Sequence, residues 1–360
     1  MEKNKPKIMI TFNEGGENGG PFNSHKRITE SGLKEKYEFI PLIIPEGRRG
    51  LFNPRLQRNL IEQIKKSKPD IVQFTGLALD GFHTLLACKL CGVKNTLLVI
   101  RGSSREGVEF SGLKRKVTSI LENWTLKNSA FCYGVSRYVA NLDFVKKYAK
   151  NSIGYIYNMP AAQKKRQSSR QKLRRQFGID DEDILIISTG RITEEKGFGD
   201  LTDVILKFAE QKNVKFIIIG KGSYLETMKD RLQVQINNKQ VFLTGYQKNV
   251  DDFLSASDVF TILTWHETLC NSVIEASGAG LPVVAAAVGG VPEIIDDNKS
   301  GFLIKARDTE NAYRRLLRLV EDSALRKKFG SNGREKIKSV FATEKIVQQI
   351  DAVYKQILEN

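Results

Sequence analysis

Residues 265–276 read Trp265-His266-Glu267-Thr268-Leu269-Cys270-Asn271-Ser272-Val273-Ile274-Glu275-Ala276. The chain continues through Ser277-Gly278-Ala279-Gly280-Leu281-Pro282-Val283-Val284-Ala285 to Gly289-Gly290-Val291-Pro292-Glu293-Ile294-Ile295. An apolar, β-branched run, Val259–Leu263, ends just before this stretch, and a second, Pro282–Ala286, lies within it. A helix is expected to begin near Asn271. Strand, loop, helix and strand in this order are the repeating unit of an α/β fold with a parallel sheet. Glu267 and Glu275 straddle the start of the helix, one in the loop and one about a turn inside. Carboxylates so placed accept hydrogen bonds from sugar hydroxyls, while the amides around Leu269, Cys270, Asn271 and Ser272 suit a phosphate. Two acids at a helix start also simply offset its dipole.

The same alternation extends outward. Ile8–Phe12, Phe39–Ile44, Ile71–Phe74, Thr96–Ile100 and Ala130–Val135 form one series of apolar runs. Ile184–Ser188, Lys215–Ile219, Val241–Thr244, Val259–Leu263 and Pro282–Ala286 form a second. Continuous apolar strands separated by helical stretches predict parallel sheets buried on both faces. Two series predict two doubly wound, Rossmann-like domains, as does a length of 360 residues at ~150 per domain. Their expected spans are 1–165, joined by a helix over about 343–360, and 166–342. In that last helix Ile346, Ile350, Val353, Tyr354 and Ile357 share a face. Ala161–Arg175, polar and basic, reads as a solvated linker running into the start of a helix.

Composition narrows the function. A 41% hydrophobic and 27% charged chain excludes a disordered or collagen-like protein. The longest apolar run, Leu281–Val291, falls short of the ~18 residues of a spanning helix. The N-terminus lacks a signal-peptide pattern, and four cysteines imply no disulfide framework, so the reducing cytosol is the expected compartment. Cys88-Lys89-Leu90-Cys91 lies in a Leu/Ala-rich helical stretch with no second paired half-site, so its thiols read as core. The net charge is +16, of which residues 1–160 carry +12 from 26 Lys/Arg against 14 Asp/Glu. Such a surplus suits a polyanionic partner: nucleic acid, an acidic membrane face or a phosphorylated substrate. A partnerless basic surface is the plain alternative. No recognition motif or aromatic–basic interleaving supports nucleic acid.

Two further loops follow strands. Gly15-Gly16-Glu17-Asn18-Gly19-Gly20-Pro21 suits close approach of backbone amides to an anion, or is a plain flexible turn. Thr189-Gly190-Arg191-Ile192-Thr193-Glu194-Glu195-Lys196-Gly197 sets two cations beside a helix start. They suit a pyrophosphate, or are surface charges paired with Glu194 and Glu195. In Ser111–Trp124, the residues Leu113, Val117, Ile120, Leu121 and Trp124 share a face beside Lys114, Arg115 and Lys116. That helix either lies on an anionic bilayer or turns its apolar face to the core.

Taken together, Glu267–Ile295 resembles the signature of the retaining glycosyltransferases of family 4, with its Glu-x7-Glu pattern, Gly-x-Pro-Val-Val turn and Gly-Gly-x-Pro-Glu loop. Gly190–Lys196 and Ile217-Ile218-Ile219-Gly220-Lys221-Gly222 resemble further elements of that family, and Asn158 falls at its interdomain hinge. The resemblance implies a GT-B fold: two Rossmann-like domains facing across a cleft, with the last helix returning to the first. It implies that Arg191 and Lys196 hold the diphosphate of a nucleotide-sugar, most simply a UDP-sugar, and that Glu275 holds the ribose. Glu267 would contact the donor sugar, with the backbone of Gly190, Gly220, Leu269, Cys270 and Asn271 nearby. Gly19 and Gly20 would close on the diphosphate, and Tyr246 would wall the base. By the same resemblance, Arg191, Lys196 and Glu267 carry the catalysis, with neither a metal nor another cofactor.

Two positions depart from the family. Cys270 replaces a Gly or Pro, and Arg101, next to Ser103, stands where many members have a histidine near the donor sugar. Arg101 and Ser103 are therefore placed on the acceptor or donor-sugar side; His25 and His83 are alternatives for that histidine, though each reads more simply as a surface or packing residue. The implied activity is sugar transfer to a glycan acceptor, lipid-linked, in surface polysaccharide synthesis at the cytoplasmic membrane face. A sugar-nucleotide epimerase of the same fold is the alternative.

Overall fold

The computed structural model describes residues 5–16, 19–47, 50–105, 112–161 and 167–359. Glu17 and Asn18 of the glycine-rich loop, Ser111, and residues 162–166 of the linker lie outside them. The chain divides into two compact units, Met1–Met159 with Phe341–Asn360, and Pro160–Val340.

Unit 1 holds strands β1 (Lys7–Asn13), β2 (Glu38–Ile44), β3 (Ile71–Thr75), β4 (Thr96–Ile100), β5 (Phe131–Gly134) and β6 (Ser152–Tyr155). They form one sheet in the order β2-β1-β3-β4-β5-β6. Unit 2 holds β7 (Ile184–Thr189), β8 (Val214–Ile219), β9 (Val241–Gly245), β10 (Val259–Ile262), β11 (Val283–Ala286) and β12 (Gly301–Ile304), ordered β12-β11-β10-β7-β8-β9. Every pairing is parallel. Helices cover both faces, so the inner strands are buried along their length: all of Thr96–Ile100 and nearly all of Ile184–Thr189 are out of solvent. Each sheet has one point where the strand order reverses, between β1 and β3 and between β7 and β10. Loops diverge there, leaving a crevice at the carboxyl ends of the strands.

The ten expected strands are present, and two more, β6 and β12, close one edge of each sheet. Each has four residues and includes a glycine, Ser-Ile-Gly-Tyr and Gly-Phe-Leu-Ile. Neither is long enough to show a pattern on its own.

The C-terminal helix Thr343–Glu359 packs on the first sheet. Ile346, Ile350, Val353, Tyr354 and Ile357 are all buried. The Tyr354 hydroxyl donates to Gln73 Oε1 in β3 (2.7 Å), and Tyr37 Oη donates to Asp351 Oδ1 (2.9 Å). Burial acts to raise the Asp351 pKa, but hydrogen bonds from Lys36, Tyr37 and Lys355 outweigh it and hold the carboxyl below its usual range.

The basic stretch before unit 2 corrects the reading of a solvated connection. Gln167–Phe177 is a helix whose arginines are structural. Arg174 is 1% exposed and donates to Ala256 O, Asp183 O and Asp258 Oδ2. Arg170 donates to the other oxygen of the same carboxylate, Asp258 Oδ1, at 2.8 Å. Asp258 Oδ2 also accepts from Leu185 N at the head of β7. Two arginines thus bind the helix to the amino ends of β7 and β10. Removing one partner from a buried pair strands the groups left behind, at ~3 kcal/mol or more. Arg174→Ala should therefore lower the stability of unit 2 by about that amount in urea unfolding. A change within ~0.5 kcal/mol, as for a surface residue, would contradict the anchoring role.

Candidate functional site

At the reversal point of the second sheet, the loop after β7 lies on the end of β10. Gly197 has φ +72°, and a Cβ there would sit 1.9 Å from Leu263 O, so no side chain fits. Trp265 N donates to Glu195 O (2.9 Å), and the Thr264 hydroxyl donates to His266 O (3.0 Å). The loop after β11 makes an equally close approach. A Cβ on Gly289 (φ +53°) would fall 1.5 Å from Glu267 O. With the backbone fixed on both sides, Lys196 Nζ meets Glu267 Oε1 at 2.7 Å, and both side chains are largely buried. A buried pair of this kind acts as a fixed dipole that a polar ligand can exchange into.

Three neighbouring loops are stitched together by their backbones. Gly190 N donates to Ile219 O, Ile192 N to Lys221 O, and Gly220 N to Gly245 O. Tyr246 follows, 41% exposed. Arg191 is 69% exposed at its side chain and lies 3.3 Å from Glu195 Oε1, so it pairs as a surface charge would. The helix Asn271–Ala279 starts four residues after Glu267, with Glu275 half-buried one turn in. Cys270 O accepts from both Val273 N and Ile274 N, so the amides of residues 269–272 precede the helical bonding. The Leu269 and Cys270 side chains are buried. Burial, and then the charge of Glu267, push the Cys270 thiol up to about 12, so it is neutral and no nucleophile.

One part of this arrangement has no signal in the sequence. Trp265 Nε1 donates to Asp200 Oδ2 (2.7 Å), and the Arg307 guanidinium lies 3.9 Å from the centre of the indole ring. Burial first, with the charges of Asp203 and Glu194, raises the Asp200 pKa. The indole thus fixes the loop that carries Glu267. Asp200, Trp265 and Arg307 come from three separate segments, and no spacing links them.

In unit 1, Gly19 precedes the helix Gly20–Glu30 and donates its N–H to Gly16 O. Arg101, at the end of β4, donates to Asn158 Oδ1 (2.7 Å) and to Ser24 Oγ (2.9 Å). Burial lowers its pKa to about 10, which leaves it charged at neutral pH. Ser103 is not brought to Arg101's partners: its hydroxyl donates to Glu122 Oε2, which also accepts from Arg105 Nε. Both histidines are packing residues and neither is at the surface. His83 Nδ1 accepts from Gln57 Nε2 while its Nε2–H donates to Gly50 O, and His25 Nδ1–H donates to Thr11 O at 2.8 Å. Cys88 is buried and Cys91 half-buried, with burial raising both thiols. Among the described residues, no group of three or more His, Cys, Asp or Glu is gathered as for a metal, and no helix is long and apolar enough to cross a membrane.

The helix Gly112–Asn128 divides the expected apolar face between the two readings: Leu121 is buried and Trp124 half-buried against Phe82, while the other three residues stand in solvent. Leu113, Val117 and Ile120 are exposed (77%, 37% and 66%), while Thr118, Leu121, Glu122, Thr125 and Leu126 face inward. The buried side is set by Glu122, which accepts from Ser104 N as well as from Ser103 and Arg105.

Residues 169–336 match the family model described as "Glycosyl transferases group 1". The chain is 27% identical over 190 residues to N-acetyl-alpha-D-glucosaminyl L-malate synthase of Bacillus anthracis, a match covering 52% of this chain and 50% of that protein. It is 24% identical over 340 residues to the Escherichia coli UDP-Gal:alpha-D-GlcNAc-diphosphoundecaprenol alpha-1,3-galactosyltransferase, covering 87% and 85%. In fold it is similar to Anabaena HepE, solved with UDP-glucose, at TM-score 0.79 and 18% identity over 97% of this chain and 99% of that one. The fold is therefore GT-B.

The burial of His25 has a measurable consequence. Desolvation first, and then the Arg101 charge, lower its pKa to about 3, so the folded protein keeps the ring neutral. Unfolded, the ring titrates near ~6.5. Its contribution is therefore intact above the unfolded pKa and is lost as pH falls toward the folded one. Between pH 7 and 5 this should cost about 2 kcal/mol. His25→Gln should flatten the stability profile over that window in urea titrations; an unchanged slope would contradict the assignment.

Proposed function

From the match of residues 169–336 to the family model of the group 1 glycosyl transferases, we propose that this chain transfers a sugar from a UDP-sugar to a lipid-linked glycan acceptor, with retention of anomeric configuration. The observation that carries this reading is the Lys196–Glu267 pair, held at the reversal point of the second sheet and beside the start of the helix Asn271–Ala279. Unit 2 binds the donor. Arg191 leaves its weak surface pairing for a diphosphate oxygen, Lys196 serves as a second cation, and the amides of residues 269–272 face the same anion. Glu275 accepts from the ribose hydroxyls. Glu267, oriented by Lys196, accepts from hydroxyls of the donor sugar.

Breaking the bond between the sugar and the diphosphate builds negative charge on the leaving oxygen. Fixed cations and amides stabilise that charge without reorganising. The leaving phosphate oxygen takes the proton of the acceptor hydroxyl as the new bond forms on the same face. Two cations supply the charge neutralisation that a divalent ion gives elsewhere, so activity should survive a chelator.

Unit 1 carries the charge surplus and is proposed to bind the acceptor. A relative that acts on a diphosphoundecaprenol-linked sugar supports a lipid-linked one. The exposed Leu113, Val117 and Ile120, next to the exposed Lys116, support transient contact with an anionic membrane on its cytoplasmic side.

Lys196→Ala should reduce turnover by at least ~100-fold, the usual scale for loss of a positioned charge contact in a transition state. Glu275→Ala, which loses the ribose contact, should lower kcat/KM by ~10-fold or more. Thermal shifts with a nucleotide-sugar panel should show a UDP-sugar stabilising the wild type by mass action. Wild-type rates in both variants, or strict dependence on added Mg²⁺ or Mn²⁺, would refute this mechanism. Ile120→Glu should lower sedimentation with anionic liposomes at low salt, and equal sedimentation would remove the membrane contact.

A further inference from the structure

Trp265 is gripped from three directions, all within unit 2. Its backbone N–H donates to Glu195 O (2.9 Å), its Nε1–H donates to Asp200 Oδ2 (2.7 Å), and the Arg307 guanidinium stands 3.9 Å over its ring. Asp200 lies in the first turn of the helix Phe198–Lys207, which starts at Gly197, the glycine packed on Leu263 O. Burial raises the Asp200 pKa, while the indole bond and the Arg307 charge act to lower it, so the three groups form one cluster.

The Arg307 backbone is in the left-handed region, at φ +67°. Among the described residues, the other non-glycine residues there are Lys68, Lys239 and Asn298. Lys68 and Lys239 lie at the ends of helices, where that conformation is common, and an asparagine tolerates it. Arg307 instead precedes a helix, Thr309–Glu321, whose cap Asp308 accepts from Asn311 N at 3.0 Å. Glycine would take this turn without strain. A strained arginine whose guanidinium covers an indole points to the side chain as the reason for the residue.

What the cluster holds is a short stretch. Trp265 stands two residues before Glu267 and six before the helix Asn271–Ala279. Between Trp265 and Glu267, His266 O accepts from the Thr264 hydroxyl, and the Glu267 carbonyl lies against Gly289. The grip therefore falls on residues 264–267. Glu275 and the amides at the helix start lie beyond it.

We propose that Asp200, Trp265 and Arg307 are positioning residues for the sugar half of the donor. By holding residues 264–267 they fix the Glu267 carboxylate, and so set which arrangement of sugar hydroxyls is accepted. The nucleotide half is held without them. The inference rests on the reading of unit 2 as the donor-binding unit.

Calorimetric titration of the full chain with UDP, UDP-glucose, UDP-galactose and UDP-N-acetylglucosamine tests it. The wild type should bind UDP, and its tightest sugar nucleotide roughly ten-fold better than its weakest, the scale of one hydrogen bond to a charged group. Arg307→Gly should collapse that ratio and leave the Kd for UDP unchanged. Its melting temperature should stay near that of the wild type, because glycine relieves the backbone as the stacking is lost. Trp265→Ala should also collapse the ratio. Asp200→Asn, which keeps an acceptor for the indole, should preserve it where Asp200→Ala does not. In a Glu267→Ala background, Arg307→Gly should have no further effect, since residues that act through one another are not additive.

If neither UDP nor a sugar nucleotide binds the wild type, the donor reading fails and takes the cluster's role with it. If they bind and Arg307→Gly and Trp265→Ala keep the wild-type ratio, the cluster's role alone is overturned. It is equally overturned if the wild type binds all three sugar nucleotides alike, if UDP affinity falls in step with sugar selectivity, or if Arg307→Gly still acts without Glu267.

Discussion

The second unit is organised around two contacts in which backbone meets backbone with no room for a side chain. Gly197 rests on the carbonyl of Leu263, and Gly289 rests on the carbonyl of Glu267. These contacts bring the loops after β7, β10 and β11 into one layer at the point where the strand order reverses. From that layer follows the Lys196–Glu267 pair, and from the pair a charged site whose two ends cannot drift apart. Even the smallest side chain at either glycine would force a loop outward and spread the groups proposed to hold a diphosphate and a sugar. The sheet supplies a crevice, and the glycines decide how finely its walls are placed.

Outside that layer, buried charge is what orders the chain. Arg170 and Arg174 bind the first helix of unit 2 through Asp258, Asp351 binds the C-terminal helix to Lys36 and Tyr37, and Glu122 binds the loop after β4. Each of these charges is satisfied by several donors or acceptors, as burial demands. The arrangement also explains why the helix Gly112–Asn128 turns apolar residues outward. Its inward side is committed to Glu122 and the serines it holds, which leaves Leu113 and Ile120 in solvent.

Much of this was legible in the sequence because central strands of parallel sheets are apolar from end to end. Ile8–Phe12, Thr96–Ile100 and Ile184–Ser188 could hardly be anything else. The edge strands β6 and β12 were not legible, since four residues with a glycine become a strand only through a neighbour's register. The helix Gln167–Phe177 was misread for the opposite reason: its arginines look solvated until Asp258, more than eighty residues away, is brought against them. Helical periodicity marked the apolar face of residues 113–124 but carried no information about which side meets the sheet. At the candidate site, the sequence placed Lys196 and Glu267 on loops that follow strands, yet the adjacency of those loops, the bond between the two side chains and the Asp200–Trp265–Arg307 cluster are consequences of packing.

The central claim is that the loops gathered by Gly197 and Gly289 form the binding site for a nucleoside diphosphate. Hydrogen–deuterium exchange of the full chain with and without UDP tests it most directly, because protection reports where the ligand orders the backbone. The account predicts slowed exchange at residues 190–197, 265–275 and 287–293 on adding UDP. Exchange unchanged in these segments while another region becomes protected would contradict it.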